Sequence, residues 1–163
     1  MTASDVTHIC DYWLLSDDDY LKGMGVDLAK VPSREELSNM LNTQLQLPLS
    51  QRQSFALIWL LNGNPFGHCN VNQIEFGKRA NMHLHIWSQE NRNKGIGTAL
   101  LKLSIPIFFE ELKLSELYCE PYAFNPAPNK ILKSIGFEFI KKYMTIPGSI
   151  NFEQEVNQWR LKH

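Results

Sequence analysis

The order of hydrophobic and polar positions predicts helices first and strands afterwards. Segment 33–47 carries apolar residues at helical spacing and opens with a Ser-x-x-Glu capping box, which predicts an amphipathic helix. Segments of strand length follow at 54–61, 66–76 and 80–87. The Asn-Gly-Asn-Pro tetrad between the first two of them is a turn signal, so we expect a hairpin there.

The remaining segments complete an α+β pattern. Further strands are predicted at 8–16, 114–122, 137–146 and 151–161, and a short helix at 127–137 that Gly136 stops. A long helical crossover joins the strands at 80–87 and 114–122, which makes that pair parallel. We therefore expect one domain over residues 1–163, with a mostly antiparallel sheet of about seven strands and helices on both faces.

The junction of strand, turn and helix at 83–101 predicts an anion site. Gly95 and Gly97 permit a tight turn and close approach of a ligand, and Arg92 and Lys94 add positive charge. The first amides of the following helix are free to bind a phosphate. The turn lacks the Gly-Lys-Ser/Thr ending of a P-loop, and Leu100 occupies the third glycine position of a dinucleotide-binding fingerprint.

Two sequence blocks resemble the GCN5-related N-acetyltransferase (GNAT) superfamily, which transfers acyl groups from coenzyme A. The run from Arg92 to Gly97 is similar to the family's pyrophosphate loop, and Asn125 is followed eleven positions later by Gly136-Phe137, as in a second family block. The resemblance covers most of the chain from about Ser54 onward. Within the superfamily, the chain most resembles the branch that includes the ribosomal-protein N-terminal acetyltransferases.

The resemblance implies a set of residues that bind acetyl-CoA. Backbone groups at the point where the two parallel strands splay apart would pair with the pantetheine arm, the amides of the glycine turn would hold the pyrophosphate, and an asparagine would contact the pantetheine amide region. In chain order these residues are Trp87, Ser88, Arg92, Asn93, Lys94, Gly95, Ile96, Gly97, Thr98 and Asn125.

The strand at 80–87 carries the candidate catalytic residues. Because strand side chains alternate, His83 and His85 lie on the face opposite the apolar residues of this strand, and an imidazole has a suitable pKa to take a proton from an amine. Serotonin N-acetyltransferases, in the same superfamily, carry a similar His-x-His, and one of its histidines falls at the position of His83. His83 is therefore the first candidate for the base and His85 the second.

The acid that protonates the departing thiolate is less clear from the sequence. Many superfamily members carry a tyrosine seven residues after the asparagine, where this chain has Leu132. Either the thiolate leaves unassisted or another donor serves. Tyr122 is the candidate donor that we retain, with Tyr118 as an alternative on the same strand face.

The composition of the chain limits the classes of partner that we expect. With 16 basic and 17 acidic residues the net charge is −1, so we expect no nucleic acid as a partner. Neither a membrane-spanning segment nor a signal peptide is evident, and three cysteines without a CxxC spacing favour a reducing compartment, so we expect a cytoplasmic protein with no membrane partner. The spacing of the His and Cys residues near His83 does not predict a metal site.

These observations predict an acetyl-CoA-dependent N-acetyltransferase that moves an acetyl group directly to a primary amine. The amine could belong to a small molecule or to a peptide, and the sequence leaves a homodimer open. Two alternatives are a protein that binds acyl-CoA without transferring the acyl group, and a domain that has kept the fold but lost the ligand.

Overall fold

The computed structural model describes residues 1–87 and 95–163. Five α-helices and six strands occur in these ranges. The helices are α1 (Val6–Leu15), α2 (Asp18–Gly23), α3 (Arg34–Gln46), α4 (Ile96–Leu112) and α5 (Pro126–Ser134). The strands are β1 (Ser54–Leu61), β2 (Asn64–Glu75), β3 (Arg79–Ile86), β4 (Glu116–Cys119), β5 (Glu138–Thr145) and β6 (Gln154–Lys162).

The six strands form one open mixed sheet in the order β1-β2-β3-β4-β6-β5. The β3–β4 pair is parallel, and the other neighbours are antiparallel. The predicted α+β class, the parallel pair and the helices on both faces are confirmed. The described residues contain six strands, against the predicted count of about seven.

The first predicted strand, at 8–16, is wrong: this segment lies in α1. Val6, Ile9 and Cys10 are buried, with Trp13 packed against the same cluster. Their spacing of three and four residues is that of a helix, because 3.6 residues make one turn. The aromatic residues Tyr12 and Trp13 favour a strand, but the burial of one helical face against α3 outweighs that preference.

Two hydrophobic clusters hold the helices to opposite faces of the sheet. The larger cluster packs α4 and α5 against the strands, with fully buried Phe108, Leu132 and Met82 among its members. The smaller cluster joins α1 to α3 and contacts the sheet through Ile58 and Trp87. The sheet therefore has one face sealed by a large core and another only partly covered, where a cavity remains.

Candidate active site

The two parallel strands separate soon after they meet. Their paired positions run from Arg79 with Glu116 to Asn81 with Tyr118, while β3 continues to Ile86. On its other side β3 stays paired with β2 up to Ile86, and the Trp87 N–H donates to the Phe66 carbonyl, 3.2 Å away. This opening between β3 and β4 is the splay that the sequence predicts.

The hydrogen bond of the Trp87 backbone N–H bears on one expected cofactor contact, which stays a prediction. Because the Trp87 N–H binds β2, alternation in an antiparallel ladder directs the backbone groups of Leu84 and Ile86 to the β4 side instead. The Trp87 N–H is thus not oriented toward the opening. The backbone groups that face the opening belong to Leu84 and Ile86.

Helix α4 begins beside the splay. Its N-cap is Gly95, with φ +75°, a left-handed conformation that glycine adopts without strain. The amides of Thr98 and Ala99 both bond to the Gly95 carbonyl, so those of Ile96 and Gly97 precede the first helical hydrogen bonds. A Cβ atom at Gly97 would lie 3.0 Å from Ile86 Cδ1, so the small residue lets the helix start pack closely on β3.

The described part of the predicted pyrophosphate loop is therefore a helix N-terminus, and its role toward the pyrophosphate stays a prediction. The positive end of the helix dipole and the first amides of α4 suit a diphosphate. Four of the predicted cofactor residues, Ser88, Arg92, Asn93 and Lys94, lie outside the described residues.

Asn125 follows the end of β4 in the chain. It is the N-cap of α5, and its backbone carbonyl accepts a hydrogen bond of 2.7 Å from Asn129 Nδ2. Its role toward the pantetheine arm stays a prediction. Leu132, at the position of the family's tyrosine, is fully buried in the main core, so no proton donor occupies that position.

A cavity of about 550 Å³ lies on the partly covered face of the sheet. Its floor is polar and is made by side chains of β2 and β3, and its wall is mainly apolar and is made by α1 and α3. The floor residues are His68, Asn70, Asn72, Gln73, His83 and His85, and the apolar wall includes Ile9, Trp13, Leu37, Met40 and Leu41.

His83 stands on this floor two residues beyond the last β3–β4 pair. Its Nε2 lies 3.1 Å from Asn72 Oδ1, and because an amide oxygen only accepts, Nε2 carries the hydrogen and Nδ1 keeps a lone pair. Burial lowers the pKa of His83 to about 4, while the nearby Glu120 carboxylate acts in the opposite direction. His83 is therefore a neutral imidazole at pH 7.

Glu120 belongs to a polar cluster that sequence reasoning did not assign to the site. Its Oε1 accepts hydrogen bonds from Tyr143 Oη at 2.7 Å and from Gln158 Nε2 at 2.6 Å. Burial and the Glu120 carboxylate raise the pKa of Tyr143 to about 12, so that hydroxyl remains protonated. The cluster joins β5 and β6 to the end of β4. In the sequence, Glu120 is marked only by lying on the same face of the predicted strand as Tyr118 and Tyr122.

His85 belongs to an aromatic group at the α1 end of the cavity. Its ring stacks on His68 with 4.6 Å between centroids, and its Nδ1 lies 3.0 Å from the Tyr12 hydroxyl. The Trp87 indole N–H donates to His68 Nδ1 at 2.7 Å. Burial lowers the pKa of His68 to about 3, so it too is neutral. These contacts hold the His85 ring among the aromatic side chains of α1 and β2, which favours a structural role for His85.

Tyr122 is not among the residues that line the cavity. Its ring contacts Phe124 and Phe152, and its backbone carbonyl accepts from Asn125 and Asn129. Tyr118 is also engaged, since its hydroxyl donates to Glu116 at 2.8 Å. The structure therefore does not bring Tyr122 together with His83 on the cavity floor, and its role as an acid stays a prediction.

Within the ranges 1–87 and 95–163, no helix is long and apolar enough to cross a bilayer. Over the same ranges, His, Cys, Asp and Glu side chains form no group of three that could hold a metal ion. The three cysteines are buried and unpaired, and burial raises the pKa of Cys119 to about 12.

A mixed sheet whose parallel strands splay beside a helix N-terminus, with a polar-floored cavity across the sheet, is the architecture of acyltransferases that use acyl-CoA. The model of the acetyltransferase (GNAT) domain matches residues 1–138, and the chain therefore belongs to the GNAT family. It is an acetyltransferase, and acetyl-CoA is its acyl donor. The comparison with curated protein sequences gave no match.

Solved structures of similar fold include three acetyltransferases. RimL, a ribosomal L7/L12 alpha-N-protein acetyltransferase in complex with coenzyme A, superposes with a TM-score of 0.80 at 17% identity, over 99% of this chain and 90% of that one. Spermidine N-acetyltransferase from Vibrio cholerae, with coenzyme A and spermine, gives 0.79 at 16% identity over 99% and 92%. Aminoglycoside acetyltransferase AAC(6')-Ib, with coenzyme A, gives 0.72 at 15% identity over 100% and 92%. At these identities the likeness shows the fold.

Proposed function

We propose that the chain transfers the acetyl group of acetyl-CoA directly to a primary amine while both substrates are bound. The observation that carries the proposal is the position of His83, on the cavity floor and beside the opening between β3 and β4. One substrate can thus lie along the splay while the other reaches the same point from the cavity. The acceptors named for the three similar structures, a ribosomal protein, spermidine and an aminoglycoside, support an amine as the acceptor class.

The donor side is formed by backbone groups. The amides of Ile96 and Gly97 at the start of α4 would hold the pyrophosphate, together with Thr98 and the predicted loop residues before Gly95. The backbone groups of Leu84 on the β4 side would hold the pantetheine arm and polarise the acyl carbonyl, beside the contacts predicted for Trp87 and Ser88. The bound donor supplies an activated acetyl thioester.

His83 would remove the proton that the amine loses. Its Nδ1 lone pair can accept this proton directly or through one water, while the Nε2 hydrogen bond to Asn72 fixes the ring. The imidazolium formed in this step would lie close to the Glu120 carboxylate, which stabilises the positive charge. Glu120 would thus act through His83, as a positioning and charge-stabilising residue.

The proposal is tested by the release of free coenzyme A from acetyl-CoA in the presence of a panel of primary amines. A ternary-complex reaction gives intersecting initial-velocity lines when both substrates are varied, whereas an acetyl-enzyme gives parallel lines. His83→Gln, which cannot take up a proton, should lower kcat at least a hundredfold with little change in acetyl-CoA affinity. Unchanged kcat and an unchanged pH profile would exclude His83 as the base.

A second candidate function is acyl-CoA binding without transfer. The fully buried Leu132 favours it, because the family's usual proton donor is missing at this position. This candidate predicts that acetyl-CoA raises the melting temperature of the protein but that none of the amines in the panel releases coenzyme A. Release with any amine of the panel would reject it.

A further inference from the structure

The cavity beside His83 has an unusual distribution of charge for a site that takes amines. No aspartate or glutamate is among the described residues that line it. The Arg52 guanidinium also lines the cavity, is cationic, and donates to the carbonyls of Leu45 and Leu47. A second ammonium group on the acceptor would find no carboxylate partner among these residues.

The pKa values of two histidines on the floor also indicate that positive charge is disfavoured in the cavity. Burial lowers the pKa of His68 to about 3 and that of His83 to about 4, so this environment disfavours positive charge on groups that are ordinarily half-charged near pH 6.5. A cationic ligand group placed there would meet the same desolvation cost. A polar group that carries no charge would not.

The polar atoms that the floor offers are neutral. Asn70 Oδ1 is buried and has no hydrogen-bond partner in the described part of the chain. Asn70 pairs with His83 across β2 and β3, so this acceptor lies next to the candidate base. An unpaired buried acceptor is costly, and a turn of the Asn70 side chain into the cavity would let an N–H of the acceptor amine satisfy it.

The wall opposite the polar floor determines which ligand body the cavity fits. It is apolar over α1 and α3, with Trp13, Met40 and Leu41 among its residues, and a volume of about 550 Å³ is within the range of small-molecule sites. An aliphatic or aromatic body would bury apolar area against this wall.

We infer that the acceptor is a small monoamine with an apolar body, and that amines carrying further positive charges are poor substrates. This inference rests on the proposed function, because it names the substrate class of the same site. It also separates this chain from what its structural likeness to a spermidine and an aminoglycoside acetyltransferase would imply.

The test compares hexylamine with 1,6-diaminohexane, which carries an additional ammonium group on the carbon that is the terminal methyl of hexylamine. Both are assayed with acetyl-CoA by release of free coenzyme A. We expect kcat/KM for hexylamine to exceed that for the diamine at least thirtyfold, although the diamine has two reactive ends. Equal values, or a preference for the diamine, would overturn the inference while leaving the proposed function in place.

A pair of variants tests the cause of the selectivity. Met40 lines the cavity and is 53% exposed, so Met40→Glu places a carboxylate at the wall, and Met40→Gln is the uncharged control. The ratio of kcat/KM for hexylamine to kcat/KM for the diamine should be at least threefold smaller in Met40→Glu than in Met40→Gln. An equal preference in the two variants would show that the missing carboxylate is not the cause.

Binding measurements distinguish failure of this inference from failure of the proposed function. Both amines are titrated calorimetrically into the protein saturated with coenzyme A. If neither amine releases coenzyme A in the assay, transfer fails, but tighter binding of hexylamine by thirtyfold or more still supports the ligand class. Equal binding, tighter binding of the diamine, or no binding of either amine would refute it.

Discussion

The buried His68 gives the fold a pH dependence whose size can be worked out. Its pKa falls from an ordinary value near 6.5 to about 3, because the ring is 3% exposed and desolvation disfavours the imidazolium. Between these two values the unfolded chain binds a proton that the folded chain does not, so stability is complete above pH 6.5 and is lost as pH falls toward 3.

The expected magnitude follows from the two titrations. Between pH 7 and pH 5 the protonation of an unfolded histidine shifts the unfolding equilibrium about 25-fold, or about 2 kcal/mol, and the folded His68 contributes almost nothing in return. His83, with a folded pKa of about 4, adds a similar amount. We therefore expect the two residues together to lower the free energy of unfolding by about 4 kcal/mol over this interval.

His68→Asn isolates one half of this effect. The asparagine Oδ1 can still accept the Trp87 indole hydrogen bond, but the side chain does not titrate. Urea unfolding at pH 7 and pH 5 should show the pH-dependent loss reduced by about 2 kcal/mol relative to the parent chain. Val71→Ala, a buried substitution on the same strand, is the control: it lowers stability at both pH values but leaves the difference between them intact. A pH-dependent loss in His68→Asn equal to that of the parent would refute the argument.

Two glycines give further predictions. Gly67→Ala should lower the free energy of unfolding by about 2 kcal/mol, because its Cβ would lie 2.5 Å from the His85 carbonyl oxygen. Thermal unfolding measures the loss, and Gly23→Ala, whose Cβ meets nothing within 4 Å, is the control. Gly95→Ala should cost about 1 kcal/mol through its φ of +75° and should also weaken acetyl-CoA binding at least fivefold, because it distorts the start of α4. Gly63→Ala imposes the same strain, at φ +81°, in the β1–β2 turn, and equal losses of affinity in both variants would contradict a phosphate role for Gly95.

Much of the sheet could be predicted from the sequence because its signals are local. Alternation over 80–87 placed His83 and Met82 on opposite faces, and the structure has Met82 fully buried in the main core and His83 on the cavity floor. The capping box before α3 is present, with Ser33 Oγ accepting from the Glu36 amide. The segment of α1 was misassigned because residue composition favoured a strand, whereas its partner α3 decided the outcome.

The site itself was only partly predictable, since its parts come from distant segments. The contact between His83 and Asn72 depends on the register of β2 and β3, which includes an irregularity between Asn72 and Glu75. The Glu120 cluster requires β6 to insert between β4 and β5, an order that no local pattern encodes. The direction of the Trp87 amide likewise follows from its partner strand, and the cofactor contact expected for the Trp87 backbone stays a prediction.

The lowered pKa of His83 is compatible with its proposed role as a base. A group with a pKa of about 4 is a weak base toward an ammonium ion in water, where an aliphatic amine is mostly charged. Desolvation, however, disfavours both cations, so an amine that enters the cavity has its own pKa lowered in the same direction as that of the imidazole. Proton transfer depends on the difference between the two pKa values, which is less affected by burial than either value alone. The nearby Glu120 carboxylate favours the imidazolium, so the pKa of His83 is already higher than burial alone would make it. A monoamine gains fully from this arrangement because it enters with one charge and loses it, whereas a polyamine would keep its other charges in an environment that disfavours them.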